Sequence, residues 1–574
     1  MNILGINCYL HDSAAALYQD GRLSFAAEEE RFSRVKKDAR FPHLAIRAAL
    51  DYGGVRADEL DAIAFGWNRA PATQLHTLRS MFTGRIPLAP KMTADAFLAA
   101  VREMYRGNGG KLLRRGFAVP RSTPIFFIDH HLAHAWSAYA PSGFDEALVI
   151  VADGRGATQA TTLYHARGDS MKAVKTLYWP NSLGAFYEAF TQLLGFERHN
   201  DEWKVMGLAA YGKPDRDLSQ FLRLTPDGYR LNARLVCGKW WNDISELERI
   251  LGPRRQPEIR ITGEEENLAA AVQKATEDAM FSLVREGIRL TGCRNLCLAG
   301  GVAMNSKANG RLLESGLIDD LFVQPAATDD GTAIGAALAA HQRLGRPVPR
   351  RRLTDVYLGP AYSQSEIENV MRTYKLHAYT VSNLEEQVAS LLAVGAIVGW
   401  FQGRMEFGPR ALGSRSILAD STHFRMKDRV NQSVKFRENW RPFAPSCLAE
   451  SAHEYFEGAR EAPFMTMTFP VLAHQRERIP AVTHADNTAR LQTVNRDTNP
   501  RFWRLISEFQ KRTGVPVILN TSFNLRGEPI VCSPKDAIRT FYSSGLDFLV
   551  LGDSLIAKSP AWSPATPERE VVPV

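Results

Sequence analysis

The sequence predicts an α/β protein with two domains, and three observations predict it. The chain has 574 residues, of which 45% are hydrophobic, so it is longer than one core usually supports. A pattern of three short strands near the start of the chain recurs from Ala147 onward. A proline- and arginine-rich connector begins at Arg346, and the resulting linker, 346–356, separates residues 1–345 from residues 357–574.

The repeated pattern is a three-stranded unit with a polar turn after its first strand. Those turns are His11 to Ser13 and Asp153 to Gly156, and their backbone N–H groups can face a phosphate. Two such units facing each other describe an actin-like ATPase architecture, whereas two unrelated β-meanders are the alternative. The predicted strands are Ile3 to Ile6, Ala14 to Tyr18 and Leu23 to Ala27, then Ala147 to Ala152, Ala160 to His165 and Val174 to Tyr178.

The elements that follow alternate between helix and strand. A helix is predicted from Glu265 to Thr291, and a strand that begins at Asn295 runs into the paired glycines Gly300 and Gly301. Glycine pairs let backbone approach a ligand closely, and a helix N-terminus adds a partial positive charge suited to phosphate. A second strand, turn and helix follow between Leu321 and Gly335.

A metal site is indicated by histidines four residues apart. On a helix, His130 and His134 would stack on one face, where each imidazole can offer a lone pair to one cation. Asp153 and Asp329 can complete the set, although the spacing fixes neither metal nor geometry. The alternative is a histidine-rich helix start capped by Asp129.

The C-terminal part is rich in cations within glycine-containing turns. A buried-type strand, Gly395 to Phe401, leads into a segment that ends at Ser416, and the strand Val515 to Leu519 leads into the hydroxyl and amide groups of Asn520 to Asn524. A solvated loop is possible for the first segment, but glycines that bring backbone close favour an anion cradle. The cations are Arg404, Arg410, Arg415, Lys435, Arg437 and Arg441.

Composition excludes several functional classes. The net charge is +8, but arginine runs such as Arg350 to Arg352 are short and lack interleaved aromatics, so nucleic acid is not expected. No apolar run reaches membrane-spanning length and no signal-peptide pattern opens the chain, so we expect a cytoplasmic protein with no membrane association. The six cysteines lack paired spacing, and we expect reduced packing residues.

Taken together, these motifs resemble the NodU/CmcH family of O-carbamoyltransferases, which modify antibiotics, nodulation factors and related natural products. The resemblance runs nearly end to end. It rests on HDSA at 11–14, HHLAH at 130–134, DEWKVMGLAAYG at 201–212, LAGGVAMN at 298–305, DDG at 329–331, GRMEFGPRALGSRSI at 403–417, NWRPFAP at 439–445, THADNTARLQTV at 483–494 and NTSFNLRGEPIV at 520–531.

The resemblance implies a metal-bearing, actin-like N-terminal domain joined to a YrdC-like C-terminal domain. Carbamoyl phosphate and ATP would give carbamoyladenylate and pyrophosphate in the C-terminal domain. The carbamoyl group would then pass to a hydroxyl of a small-molecule acceptor, a natural product or sugar, in the N-terminal domain. The KxR and SxN signature of YrdC-like proteins matches Lys435 with Arg437 and Ser522 with Asn524.

The resemblance also implies roles for individual residues. His11, Lys435 and Arg437 are the expected catalytic groups, with His11 as general base, although a lone histidine is more often structural. One divalent metal, with iron favoured, would bind His130, His134, Asp153 and Asp329, the last preferred over Asp330. Carbamoyl phosphate and ATP would contact Arg404, Arg410, Arg415, Lys435, Arg437, Arg441, Arg490, Ser522, Asn524 and Arg526. The N-terminal nucleotide site would comprise Glu188, Lys204, Gly207, Gly300, Gly301 and Asn305.

Two other functions fit parts of the sequence. An actin-fold phosphotransferase would use the repeated turns and Asp153 as base, but the cation-rich C-terminal domain speaks against it. A tRNA-modification accessory protein would explain the pI of about 9.1. The expected ligands remain carbamoyl phosphate, an alcohol acceptor and ATP with Mg, and a homodimer is the assembly considered.

Overall fold

The protein is described by a computed structural model that covers residues 1–8, 11–67, 113–114, 116–156, 158–237 and 243–559. The described residues form two compact units. The first unit comprises Met1–Glu29 and Lys37–Leu353, and the second comprises Glu30–Lys36 together with the chain from Thr354 onward. The short segment Glu30–Lys36 therefore belongs to the second unit, although in the sequence it lies near the N-terminus.

The first unit alternates strands and helices. Its elements, with the junction helix α1 included, are β1 Asn2–Asn7, β2 Ala14–Gln19, β3 Arg22–Glu28, α1 Glu29–Ser33, α2 His43–Gly53, β4 Ala62–Phe65, β5 Ile125–Phe127, α3 His130–Ser142, β6 Glu146–Ala152, β7 Gln159–Arg167, β8 Ser170–Tyr178, α4 Leu183–Leu193, α5 Glu202–Leu208, β9 Leu222–Thr225, β10 Gly228–Leu231, α6 Ala233–Val236, α7 Ser245–Leu251, α8 Gly263–Thr291, β11 Asn295–Ala299, α9 Ser306–Glu314, β12 Asp320–Val323 and α10 Thr332–Arg343.

Two five-stranded sheets of this unit have the same topology. The orders are β3-β2-β1-β4-β5 and β8-β7-β6-β11-β12. In each sheet the first three strands of the repeat are antiparallel, and the first strand then pairs in parallel with the next one. The predicted internal repeat of a three-stranded unit is confirmed, because two independent meanders would not share these crossovers.

Helices α3 and α10 pack closely against each other and against the strands beside them. A side chain at Gly335 would collide with the carbonyl of Ala133, and one at Gly5 would collide with the carbonyl of Ala333. Only glycine permits such close approach of backbones. This packing brings the first turn of α3 next to the turn that precedes α10.

The second unit is built on an eight-stranded mixed sheet of order β13-β22-β21-β14-β15-β20-β16-β19. Its elements are α11 Gln364–Thr373, β13 Tyr379–Thr380, α12 Leu384–Ala393, β14 Val398–Phe401, β15 Arg415–Asp420, α13 Met426–Arg429, a π-helical turn Val430–Lys435, β16 Ala444–Leu448, β17 Phe469–Pro470, β18 Thr488–Ala489, β19 Gln492–Val494, α14 Pro500–Thr513, β20 Val517–Ser522, α15 Pro534–Tyr542, β21 Phe548–Leu551 and β22 Ser554–Ala557. Helices α12 and α14 share a core with this sheet around the buried Trp400.

One predicted boundary in the second unit is corrected. We expected a strand to end at Leu519 and a polar segment to follow, but β20 continues to Ser522. The strand extends because Ser416 and Ile417 of β15 pair with Ser522 and Thr521. Asn520 and Ser522 are therefore strand residues on one face of the sheet.

The cysteines and the helices bear on the chemical and membrane expectations. All six cysteines are free thiols, as predicted. Among the described residues, none of the helices combines the length and apolar character needed to span a bilayer. The α/β class is confirmed, while the YrdC-like nature of the second unit stays a prediction.

Candidate functional site

The first candidate site lies where three elements of the repeated fold meet. His130 and His134 occupy the first turns of α3, Asp153 follows β6, and Asp329 lies in the short turn before α10. All four side chains are buried, and one potential ligand atom of each lies within 4.8 Å of the others. The structure thus brings together the four residues that the sequence grouped, and their role as metal ligands stays a prediction.

The histidine geometry leaves ring nitrogens directed at one point. His130 Nδ1 lies 3.1 Å from the carbonyl oxygen of Gly66, which fixes the proton on Nδ1 and leaves the Nε2 lone pair available. His134 Nε2 lies 3.1 Å from His130 Nε2 and 3.6 Å from Asp329 Oδ1. With His130 deprotonated at Nε2 by an incoming cation, two imidazoles and two carboxylates would supply mixed donors and two negative charges, so the set fits one divalent cation.

The electrostatics of this cluster are dominated by the two carboxylates. Burial alone would lower the pKa of His130, but Asp329 and Asp153 outweigh it and raise that pKa to about 10. Burial, with His130 close by, lowers the pKa of His134. Burial opposes ionisation of Asp329, yet His11 and His130 hold the pKa of that carboxyl well below its ordinary value. The cluster is a buried anionic centre that stabilises positive charge.

His11 borders this cluster. Its Nε2 lies 3.8 Å from Asp329 Oδ2, and its Nδ1 lies 3.0 Å from Asp12 Oδ2. The side chain is 41% exposed, so a ligand can reach it from solvent. Asp329 is the main reason that the pKa of His11 is raised to about 10 in the cation-free protein.

Asn7, Asp12 and Trp67 also hold this region together. Of these three, only Asp12 could have been found from the sequence, because it adjoins His11. The Asn7 side-chain amide donates to the carbonyls of His11 and Asp12, at 3.2 and 2.9 Å. The indole N–H of Trp67 donates to Asn7 Oδ1 at 3.0 Å, and the indole ring stacks on His130. Trp67 is too distant in sequence from both partners for spacing to reveal it.

Asp330 plays a different part from Asp329. Its Oδ1 accepts hydrogen bonds from Thr328 Oγ1 at 2.6 Å and from the amide of Gly331 at 3.0 Å. Asp330 therefore stabilises its own turn, whereas Asp329 faces the histidines. The geometry agrees with the preference for Asp329 as ligand.

The paired glycines support the cluster directly. The amide of Gly301 donates to Asp153 Oδ1 at 3.1 Å. Gly300 has a φ of 88°, and a side chain there would collide with the carbonyl of Ala152. Asn305 caps α9, accepting a hydrogen bond from Ala308 N at 3.0 Å. These residues shape the site through backbone and capping contacts.

Two further residues of the proposed N-terminal nucleotide site, Glu188 and Lys204, form ion pairs within the protein. Glu188 pairs with Arg198 at 3.2 Å, and Lys204 pairs with Asp201 at 2.8 Å. Gly207 lies in α5, the helix that also carries Lys204. Their assignment to nucleotide binding stays a prediction.

The second candidate site lies within the second unit, where the KxR and SxN segments meet. Lys435 ends the π-helical turn and its ammonium contacts the carbonyl and hydroxyl of Ser522. It also lies 3.0 Å from Asn524 O and 3.2 Å from Asn524 Oδ1. The structure therefore brings together two segments that are 87 residues apart.

Several arginines share the neighbourhood of Lys435. Burial lowers the pKa of Lys435 well below its ordinary value, and Arg437 and Arg441 add to the effect. Burial does the same for Arg490, with Arg410 and Arg437 contributing. Within the described residues, the Nε atoms of Arg410 and Arg490 are buried without a hydrogen-bond acceptor. Lys435 is buried and the arginines around it are half-buried, so a bound anion would stabilise this concentration of positive charge.

Three other arginines predicted to bind substrate have surroundings of their own. Arg415 is fully buried and donates to the carbonyls of Gln402 and Ser414, at 2.7 and 3.0 Å. Arg404 donates to the carbonyl of Gly359 at 3.1 Å. Arg526 is exposed. Arg415 and Arg404 hold backbone carbonyls in place and Arg526 is exposed, so we leave these three arginines out of the proposed anion site.

Sequence reasoning missed the carboxylate that organises the glycine-rich segment. Glu406 is 3% exposed, and its Oε1 accepts hydrogen bonds from the amides of Leu412, Ser414 and Arg415, at 2.7, 2.7 and 3.1 Å. A carboxylate that satisfies three backbone donors fixes the path of a loop. A glutamate between glycines gave no signal of this role.

Two protein-family models match this chain. Residues 2–338 match the model of the carbamoyltransferase N-terminus, and residues 389–558 match that of the carbamoyltransferase C-terminus. The chain belongs to the carbamoyltransferase family. It is therefore a carbamoyltransferase enzyme, with the first candidate site inside the N-terminal match and the second inside the C-terminal match.

Relatives of this carbamoyltransferase align along nearly all of it. An uncharacterized protein of Synechocystis sp. is 39% identical, covering 99% of this chain and 98% of its own length. Nodulation protein NolNO of Sinorhizobium fredii is 42% identical, covering 97% of this chain and 80% of its own. Among solved structures, component A of the (R)-2-hydroxyglutaryl-CoA dehydratase of Acidaminococcus fermentans covers 60% of this chain and 100% of its own at 14% identity, with a TM-score of 0.34.

Proposed function

We propose that this carbamoyltransferase is ATP-dependent and uses carbamoyl phosphate, with its two half-reactions at the two candidate sites. The observation that carries the proposal is the cluster formed by the buried Lys435 and the half-buried arginines around it, which suits the phosphates of carbamoyl phosphate and ATP. The His and Asp cluster of the first unit supplies a second, chemically different centre.

The first half-reaction belongs to the cation cluster. Water splits carbamoyl phosphate into carbamate and inorganic phosphate, and a carbamate oxygen then attacks the α-phosphate of ATP and expels pyrophosphate. Arg410, Lys435, Arg437, Arg441 and Arg490 neutralise the reacting anions and align them, so catalysis is chiefly electrostatic. The product, carbamoyladenylate, retains the carbamoyl group in activated form.

The second half-reaction belongs to the first unit. The hydroxyl oxygen of a small-molecule acceptor attacks the carbamoyl carbon, and AMP leaves with the bonding electrons. Asp329 is the main cause of the raised pKa of His11, so a divalent cation bound to Asp329 would lower that pKa. His11, which borders the cluster and is oriented by Asp12 through Nδ1, can then accept the hydroxyl proton. A divalent cation held by His130, His134, Asp153 and Asp329 would act as a Lewis acid toward phosphate oxygens.

The experiment that tests this function is a product analysis of the purified full-length protein. Incubation with Mg-ATP, carbamoyl phosphate and a panel of hydroxylated sugars and natural products should release inorganic phosphate, pyrophosphate and AMP together with a carbamate ester. Omission of carbamoyl phosphate should abolish pyrophosphate release. Formation of ADP in place of AMP would contradict the proposal, because ADP is the product of phosphoryl transfer from ATP.

A further inference from the structure

Asn520 carries a buried acceptor that the protein itself does not satisfy. The residue lies in β20, is 1% exposed, and its side-chain Nδ2 lies within hydrogen-bonding distance of three oxygens. Within the described residues its Oδ1 has no donor. The oxygens around Nδ2 are Ala411 O at 3.2 Å, Ser446 Oγ at 2.9 Å and Gln492 Oε1 at 3.1 Å.

These contacts fix which way the amide group of Asn520 faces. Reversing it would place Oδ1 against the carbonyl oxygens of Ala411 and Gln492, which donate nothing. The hydroxyl of Ser446 already donates to Gln492 Oε1 at 2.6 Å. The nitrogen is therefore held by the protein, and the oxygen lies at the other edge of the planar amide group. An unpaired buried carbonyl oxygen is costly unless a water or a ligand supplies its donor.

The residue lies beside the cation cluster. Side chains two apart on a strand share one face, so Asn520 lies on the same face as Ser522, whose hydroxyl contacts Lys435 at 3.4 Å. Ala411, which accepts from Asn520, follows Arg410 directly. Asn520 is thus one side-chain spacing along β20 from a residue that contacts Lys435.

The chemistry of carbamoyl phosphate matches this arrangement. Its phosphate and carbonyl oxygens accept hydrogen bonds from cations, whereas its amide nitrogen carries two N–H donors that arginine and lysine cannot receive. The oxygens of Ser522 and Asn524 near this site already accept hydrogen bonds from Lys435. An additional oxygen is needed for the amide.

We propose that Asn520 is the residue that selects a carbamoyl group, its Oδ1 accepting an N–H of the carbamoyl amide. This inference rests on the proposed binding of carbamoyl phosphate in the second unit. Acetyl phosphate is nearly isosteric but carries a methyl group in place of the amide. A site built to receive an N–H rejects such an analogue, because the buried oxygen is left unpaired.

The test compares two ligands on the full-length protein by titration calorimetry. Wild-type protein should bind acetyl phosphate about ten- to a hundredfold more weakly than carbamoyl phosphate. Asn520→Ala should weaken carbamoyl phosphate binding by a similar factor, leave acetyl phosphate binding nearly unchanged and bring the ratio close to one. Equal affinities for the two ligands in the wild type, or a preserved ratio in Asn520→Ala, would overturn the proposal.

Two controls separate recognition from structure. Ser446→Ala disturbs the same hydrogen-bond network but leaves Asn520 Oδ1 in place, so the ratio should persist; its collapse there would also overturn the proposal. Binding of inorganic phosphate reports whether the cation cluster is intact in each variant. If Asn520→Ala no longer binds inorganic phosphate, Asn520→Leu, whose side chain is closer in shape to asparagine, is used in its place. If both variants lose phosphate binding, the ratio of the two affinities in the wild type decides. Failure of the proposed function is distinct, because the wild type would then not bind carbamoyl phosphate at all.

Discussion

The Nε2 atoms of His130 and His134 lie 3.1 Å apart in a site from which solvent is excluded. His130 keeps its proton on Nδ1, where the carbonyl of Gly66 accepts it. A second imidazole directed at the remaining lone pair, with Asp329 close to both rings, is the arrangement expected for ligands that converge on a cation. The helix start is therefore more than a capped, histidine-rich turn, although Asp129 does cap it.

The first prediction concerns metal binding at this cluster. Replacing His130 and His134 together by alanine should reduce the bound divalent metal from about one ion per chain to near zero, because both nitrogen donors are lost. Elemental analysis of protein purified after metal loading measures the stoichiometry.

His131→Gln is the matched control. His131 lies on the same helix and is equally buried, but its Nδ1 contacts Thr162 Oγ1 at 2.8 Å and it is outside the donor set. This variant should retain the metal. A double alanine variant that remains loaded like the wild type would show that the cluster is not the binding site.

The second prediction concerns the cation cluster. Arg490→Ala should weaken carbamoyl phosphate binding by about ten- to a hundredfold, because one charge-assisted contact contributes roughly 1.5–3 kcal/mol. Arg350→Ala, in the linker, and Arg526→Ala, exposed in the second unit, remove the same charge and should change affinity by about twofold or less. Equal losses in all three variants would assign the effect to net charge.

Much of the first unit could be predicted from the sequence because its signals are local. The strand pattern and polar turns of the repeat, and the spacing of His130 and His134, are each readable within a short window. The equal strand orders of the two sheets follow from that repeat. Asp153 and Asp329 could be included because each lies in a glycine-containing turn that comes after a predicted strand.

The parts that escaped prediction depend on contacts between distant segments. Arg415 occurs in the same kind of glycine-rich segment as Arg410, yet only the fold reveals that backbone carbonyls surround the guanidinium of Arg415. The role of Glu406 is equally hidden, because its partners are backbone amides. Trp67 reaches His130 only through the arrangement of β4 and α3.

The third prediction concerns the stability of the second unit. Glu406→Ala should leave three buried amides without an acceptor and lower the free energy of unfolding by on the order of 3 kcal/mol. For a unit of this size the loss corresponds to a decrease in Tm of about 6–12 °C. Thermal unfolding followed by circular dichroism measures it, and Glu457→Ala, at an exposed glutamate, should leave the Tm near the wild-type value. A Tm for Glu406→Ala equal to that of Glu457→Ala would disprove the bracing role.

The fourth prediction concerns activation. Lys435→Ala should abolish pyrophosphate release from ATP and carbamoyl phosphate, because the reacting anions lose a buried cation before any adenylate forms. Arg425→Ala removes an exposed cation near the same turn and should release pyrophosphate at the wild-type rate. Unchanged release by Lys435→Ala would place activation elsewhere.

The fifth prediction separates transfer from activation. His11→Ala should keep pyrophosphate release and bound metal, because His11 belongs to neither the cation cluster nor the donor set. Formation of the carbamate ester should fall by about a hundred- to ten-thousandfold, since the acceptor hydroxyl keeps its proton and is a poor nucleophile. His165→Ala, at a histidine paired with Glu146 outside the cluster, should make ester normally. Pyrophosphate and ester are measured in the same reaction for each variant. If His11→Ala suppresses both signals equally, His11 serves the whole reaction and the assignment of the two half-reactions to two sites is wrong.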